Sequence, residues 1–185
     1  MKKCLAVLFL ASALAAAAAG TGSILTGEEP WRMNFRPEFQ FSKLGDEFAG
    51  LAGAQIGVSL QRTFYIGAAG YGLVNRVEPD GPATKLGAFD FWYAGGFVDY
   101  TFFANELVHG SLNAVLGGGQ VKPAELDSSN VFVASPGVTL QVKLAPLVEM
   151  GVGAGYRFVS GSDAPSDSEL RRPWACFFLR FNESL

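Results

Sequence analysis

Cysteine is nearly missing from this chain. Of its 185 residues only Cys4 and Cys176 carry thiols. Cys4 falls in a leader that export would remove, so no internal disulfide is expected in the mature chain. Long apolar runs are missing as well: past the leader none reaches the roughly 18 residues that a membrane helix needs, which excludes helical spans. Charged residues make up 17%, and the formal net charge of −3 gives no electrostatic ground for a nucleic-acid partner. Histidine occurs once, as His109. No metal and no cofactor is expected. Gly117, Gly118 and Gly119 lack the following Lys-Ser/Thr and the helix of a phosphate loop, and read as glycines that relax a strand end. Asp163, Asp167 and Glu169 are of a kind that suits calcium, but their spacing does not match a calcium loop and reads as a solvated outer loop.

Glycine and aromatics, by contrast, are plentiful: 23 Gly, and 13% aromatic residues led by 16 Phe. That is material for many strands. The clearest stretch spans 148–159, where Val148, Met150, Val152, Ala154, Tyr156 and Phe158 alternate with Glu149, Gly151, Gly153, Gly155 and Arg157. Period two gives one apolar face ending in aromatics and one small, polar and charged face. An apolar face of about ten residues fits a tilted strand crossing a bilayer, with an aromatic girdle at one interface.

The first 19 residues read as a secretory signal: Lys2 and Lys3 form a basic start, 4–14 an apolar segment, and Ala17, Ala18 and Ala19 a small-residue cleavage site. Residues 20–185 are then one mature domain.

The alternation recurs along that domain. Met33, Phe35, Phe39 and Phe41 alternate with Asn34, Arg36, Glu38 and Gln40, and Pro37 predicts a bulge or bend. Ala54, Ile56, Val58 and Leu60 alternate with Gly53, Gln55, Gly57 and Ser59. A third strand over 64–75 is apolar or glycine on both faces, which leaves its orientation open. The fourth, over 90–103, sets Trp92, Ala94, Gly96, Val98, Tyr100 and Phe102 against Asp99. The fifth sets Val108, Leu112, Ala114 and Leu116 against His109, Ser111 and Asn113. The sixth sets Phe132, Ala134, Val138, Leu140, Val142 and Leu144 against Ser135, Thr139, Gln141 and Lys143, with Pro136 a second irregularity. The stretch 148–159 is the seventh, and the eighth, over 174–181, aligns Ala175, Phe177, Leu179 and Phe181.

Connections at 43–50, 76–87, 121–130 and 161–173 read as long, whereas those at 61–63, 104–106 and 145–147 read as short turns. Long loops after odd strands and short turns after even ones are expected of an outer-membrane barrel, with the turns and both termini in the periplasm. Closure follows because an open edge would leave backbone groups unpaired in hydrocarbon. The expected fold is all-β: a closed, antiparallel, eight-stranded up-and-down transmembrane β-barrel.

Eight strands leave an interior about wide enough for side chains to fill, or for one small ligand. The registers aim Arg36, Glu38, Asp99, Lys143, Glu149, Arg157 and Arg180 inward. Both signs are present, and unpaired buried charge is costly, so a salt-bridge network that plugs the lumen is expected. Trp31, Trp92, Tyr100, Tyr156 and Trp174 fall near strand ends and read as interface belts. Cys176 shares a register with Trp174 and Phe178 and reads as a buried, inert thiol.

In leader, strand count, loop alternation and aromatic placement the chain resembles the small eight-stranded outer-membrane barrels, similar to the membrane domain of the OmpA-like family and to OmpX-type proteins. Such barrels usually end in an aromatic residue read by the barrel-assembly machinery. Here the chain ends Phe181-Asn-Glu-Ser-Leu185, and Phe181 would serve from an internal position. No peptidoglycan-binding module is expected. The resemblance implies an integral outer-membrane monomer among outer-membrane lipid and lipopolysaccharide, with a structural role or a surface-interaction role through its long loops.

Three other readings stay open: a narrow pore for small solutes, a soluble periplasmic barrel around an apolar ligand, and a lipid A-modifying hydrolase. The last rests on His109 and Ser111, which resemble the catalytic pair of outer-membrane lipid A deacylases. Two residues apart on a strand they share a face, and Glu106 or Glu125 would orient the imidazole. Against it, the pair points inward with Asn113, near the short-turn end, where outer-leaflet lipid is out of reach. A non-enzyme is expected.

Overall fold

The computed structural model describes residues 32–44, 47–75, 89–123, 127–162 and 167–184. The leader at 1–19, Trp31, the loop at 76–87, Glu125, Asp163 and Leu185 lie outside the described residues.

Eight strands make up almost all of it: β1 (Arg32–Leu44), β2 (Glu47–Leu60), β3 (Phe64–Leu73), β4 (Phe89–Phe102), β5 (Val108–Pro123), β6 (Ser129–Ala145), β7 (Val148–Ser160) and β8 (Arg172–Ser184), with one helical turn, α1 (Asp167–Leu170), ahead of β8. Each strand pairs antiparallel with the next, and β1 pairs with β8, so the sheet closes as an up-and-down barrel with no free edge. Turns 61–63, 103–107 and 146–147 gather at one end with Arg32 and Ser184, hereafter the turn end. The remaining connections gather at the loop end.

Period two determines which way each side chain faces. Phe35, Ile56, Trp92, Leu112, Leu140, Val152, Phe158 and Phe177 are exposed on the outer surface. Their chain neighbours Arg36, Gln55, Tyr93, Ser111, Gln141, Gly151, Arg157 and Cys176 are buried inside. On β3 the structure aims Tyr65, Ala69 and Tyr71 inward and Ile66 and Ala68 outward, which settles the orientation that two small-residue faces left open.

Several expectations are corrected. The residues expected as a loop at 43–50 are mostly strand: β1 runs to Leu44, β2 starts at Glu47, and only 45–46 intervene. β5 likewise reaches Pro123 and β6 begins at Ser129. The expected four long loops therefore reduce to two, after β3 and after β7. The polarity of 43–50 had suggested a loop, but strands that outrun the apolar belt carry polar residues too.

Neither proline makes a bulge. Pro37 pairs opposite Ala54, and the β1–β8 register is the same at Phe35↔Phe181 and at Glu38↔Phe178, so the ladder lapses there without a shift. Pro136 behaves alike, opposite Ala114 and between Ala134↔Phe158 and Gly137↔Gly155. A proline lacks one donor, and the gap in one ladder accommodates it. The register shift lies instead between Lys143 and Ala145.

The Gly117–Gly119 run lies within β5 rather than relaxing its end. Gly117 faces Gly95 across the ladder, and a Cβ at either would run into the opposite strand's backbone.

Candidate functional site

The barrel interior divides along its axis. In the loop half it is mainly apolar, with Arg157 and Ser42 as buried polar members: Leu44, Ala49, Leu51, Tyr71, Phe91, Tyr93, Val121, Val131, Val133 and Val159 form one buried cluster, and Leu170 of α1 is fully buried in it. The segment is held there by Arg171, whose Nε donates to the Val159 carbonyl at 2.7 Å and whose guanidinium pairs with Asp167 at 3.2 Å.

Below this cluster the charges meet. Asp99 accepts from Arg180 Nη2 at 2.6 Å and lies 3.3 Å from Arg36 Nη1, while Arg36 Nη2 pairs with Glu38 at 2.6 Å. Gln40 donates to Glu38 at 2.9 Å and accepts from the Tyr93 hydroxyl at 3.2 Å. One chain of contacts thus runs Arg180–Asp99–Arg36–Glu38–Gln40–Tyr93 across the interior, joining β8, β4 and β1. Its charged members all lie within 5% of full burial. Charge taken out of water in this way is tolerable only when it is paired and hydrogen-bonded. Aromatic faces add to the pairing: the Arg36 guanidinium stands 3.5 Å from the Phe178 ring centroid and that of Arg180 4.3 Å from Tyr65.

Of the seven charged residues expected inside, these four are brought together. Glu149 lies apart, with one carboxylate oxygen 3.6 Å from His109 Nε2. Arg157 is fully buried but donates to Ser42 Oγ at 3.1 Å rather than to a carboxylate, and stands over Phe91 at 5.2 Å. Lys143 is half-buried at the turn end and donates to the Ala104 carbonyl at 2.7 Å.

The aromatic expectations divide as well. Trp92 and Tyr156 are exposed on the outer surface and Tyr100 is partly so. Trp174 is not an interface residue: it is buried inside the barrel and its Nε1 donates to Ser135 Oγ at 2.9 Å. It occurs at a strand end, but in the inward register with Cys176 and Phe178, and those three pack together in the interior. Sequence reading also missed Tyr65, Tyr71, Phe91, Tyr93 and Phe97 as interior residues. Asp99 carried the signal, since every odd position of β4 shares its face.

His109 and Ser111 face inward, and their partners are elsewhere. The Ser111 hydroxyl is 2.7 Å from Thr139 Oγ1 and accepts from Gln141 at 3.2 Å. The acid beside His109 is Glu149, not Glu106. Among the described residues no group of three or more His, Cys, Asp or Glu could hold a metal.

No family model matches the chain, and no curated protein matches it. Solved structures do. Neisserial surface protein A (NspA) aligns with a TM-score of 0.61 at 13% identity, over 82% of this chain and 96% of that one. Ail, the attachment invasion locus protein of Yersinia pestis, aligns in its complex with the heparin analogue sucrose octasulfate at a TM-score of 0.48 and 15% identity, over 85% of this chain and 100% of that one. NspA is a small eight-stranded outer-membrane β-barrel. With this closure, strand order and strand count, the chain has the fold of the small eight-stranded outer-membrane barrels.

Proposed function

We propose that the chain is an integral outer-membrane barrel with a closed lumen, serving a structural or surface-interaction role through the loops after β3 and β7. The observation that carries this reading is the inversion of the usual protein: large apolar side chains ring the outside of every strand while arginines and carboxylates are sealed within. Soluble monomers rarely expose apolar patches beyond a few hundred Å², and a water-soluble barrel around an apolar ligand would need the reverse arrangement. Strands of 10 to 17 residues meet or exceed the roughly 9–11 that a tilted strand needs to cross hydrocarbon.

Closure of the lumen is supported by the apolar cluster of the loop half, by Leu170 seated in it, and by the ion-paired arginines beneath. In this reading outer-membrane lipid and lipopolysaccharide surround the belt, the barrel-assembly machinery acts on β8 with its outward Phe181, and the protein is a monomer. Leader cleavage after residue 19 belongs to the same proposal.

Two measurements test it. The protein is expected in the outer-membrane fraction, with a band on detergent gels that shifts when the sample is boiled. Purified protein in planar bilayers is expected to give no steady conductance; stable channel steps would replace the closed lumen with a pore.

A further inference from the structure

At the turn end the interior opens into a cavity of about 170 Å³, several times the volume of a water molecule. Its charged and polar lining is Arg32, Arg62, Lys143, His109, Glu149, Asn182 and Tyr65. Three permanent cations face one carboxylate, an excess of two positive charges around a small concave space. Among the described residues neither Arg32 nor Arg62 has an acidic partner within salt-bridge distance, and Lys143 is held only by the Ala104 carbonyl. His109, 3% exposed, has an Nδ1 with no hydrogen-bond partner among the described residues. Arg62 is presented from an uncommon backbone: Gln61 and Arg62 both take positive φ, 53° and 57°, in the turn closed by Thr63 N–H to Leu60 C=O at 3.1 Å. Such a conformation is disfavoured for long side chains and draws attention to what the turn holds in place.

We propose that this cavity is a binding site for a phosphate group. Guanidinium forks match phosphate oxygens in pairs and an ammonium adds a point charge, and one phosphate carries the charge that the lining leaves uncompensated. The lining also lies beside apolar turn residues. Ala104 adjoins Phe103, exposed by 78%, Lys143 adjoins Leu144 and Pro146 adjoins Leu147, all outward. The phosphate is therefore either free or the headgroup of an anionic phospholipid at that interface.

The test uses the full-length mature protein in detergent micelles, titrated with inorganic phosphate by calorimetry, with acetate as the control anion. Saturable phosphate binding is expected, with acetate much weaker. Arg62→Asn, which keeps a residue that tolerates the left-handed turn, and Lys143→Gln should each weaken binding at least tenfold while keeping the heat-shifted gel band. If Lys143→Gln fails to fold, Arg62→Asn with Arg32→Gln decides. A second arm places the protein in phosphatidylcholine nanodiscs with or without phosphatidylglycerol. Competition by phosphatidylglycerol assigns the site to a lipid headgroup, and unchanged phosphate binding assigns it to free phosphate. Absence of binding, equal binding of acetate, or affinity unchanged in the variants overturns the proposal.

Discussion

Asp99, with none of its surface exposed, sits between two guanidinium groups that are themselves buried. Neutralising it would leave Arg36 and Arg180 facing each other, Arg36 with Glu38 as its remaining acid and Arg180 with only its cross-strand neighbour Glu149. Removing one partner of a buried ion pair costs about 3–5 kcal/mol, because the remaining charge is stranded. Asp99→Asn, nearly identical in shape, is therefore expected to lower the unfolding free energy by that amount in urea titrations followed by tryptophan fluorescence. A shift within about 0.5 kcal/mol, typical of surface sites, would show that the pair does not hold the interior together. This residue was legible in the sequence because it is an acid in mid-strand, between aromatics of a period-two stretch. Its partners were not. Register across the barrel decides that Arg180 rather than Lys143 reaches Asp99, and no single strand carries that information.

Among the elements, β7 and β8 show how one strand's small residues accommodate another's large ones. The inward glycines of β7 had read simply as a small face. In the fold they are seats: a Cβ at Gly151 would strike the Phe178 ring, and one at Gly155 would strike Trp174 and the Pro136 carbonyl. Gly155→Ala is expected to destabilise by more than the roughly 1–3 kcal/mol of ordinary overpacking, since backbone as well as side chain must give. Gly72, where an added Cβ meets nothing within 4 Å, is the matched control, and Gly72→Ala should fold as well as wild type. The yields of the heat-shifted gel band of the two variants after refolding read this directly; equal yields would mean that the β7 glycines are not seats. Alternation was legible within each strand. Trp174 and the two prolines were misread because strand-end position and proline count are local signals, whereas burial and ladder gaps depend on neighbouring strands.

For the whole molecule the apolar belt and the sealed charges make one claim, that this barrel is built inside-out for lipid. Leu140, exposed by 57% within β6, should not tolerate charge: Leu140→Arg is expected to cost about 2–4 kcal/mol in bilayers. Leu147→Arg, on the turn between β6 and β7, should cost about 0–1 kcal/mol, as befits an interface. Denaturant unfolding from vesicles would register the difference, and equal costs at both positions would argue against a membrane belt. The belt was legible in the sequence because lipid and interior impose opposite chemistries on alternate residues. The lengths of the loops were not, since polar residues continue along strands that outrun the membrane.

The most direct measurement uses two single-tryptophan variants in vesicles whose acyl chains carry bromine, a short-range quencher. Trp92 points outward and Trp174 inward from strands of the same barrel. With Trp31 and the other tryptophan replaced by Phe, Trp92 should be strongly quenched and Trp174 nearly untouched. An unquenched Trp92, or a Trp174 quenched as strongly, would contradict the inside-out membrane barrel.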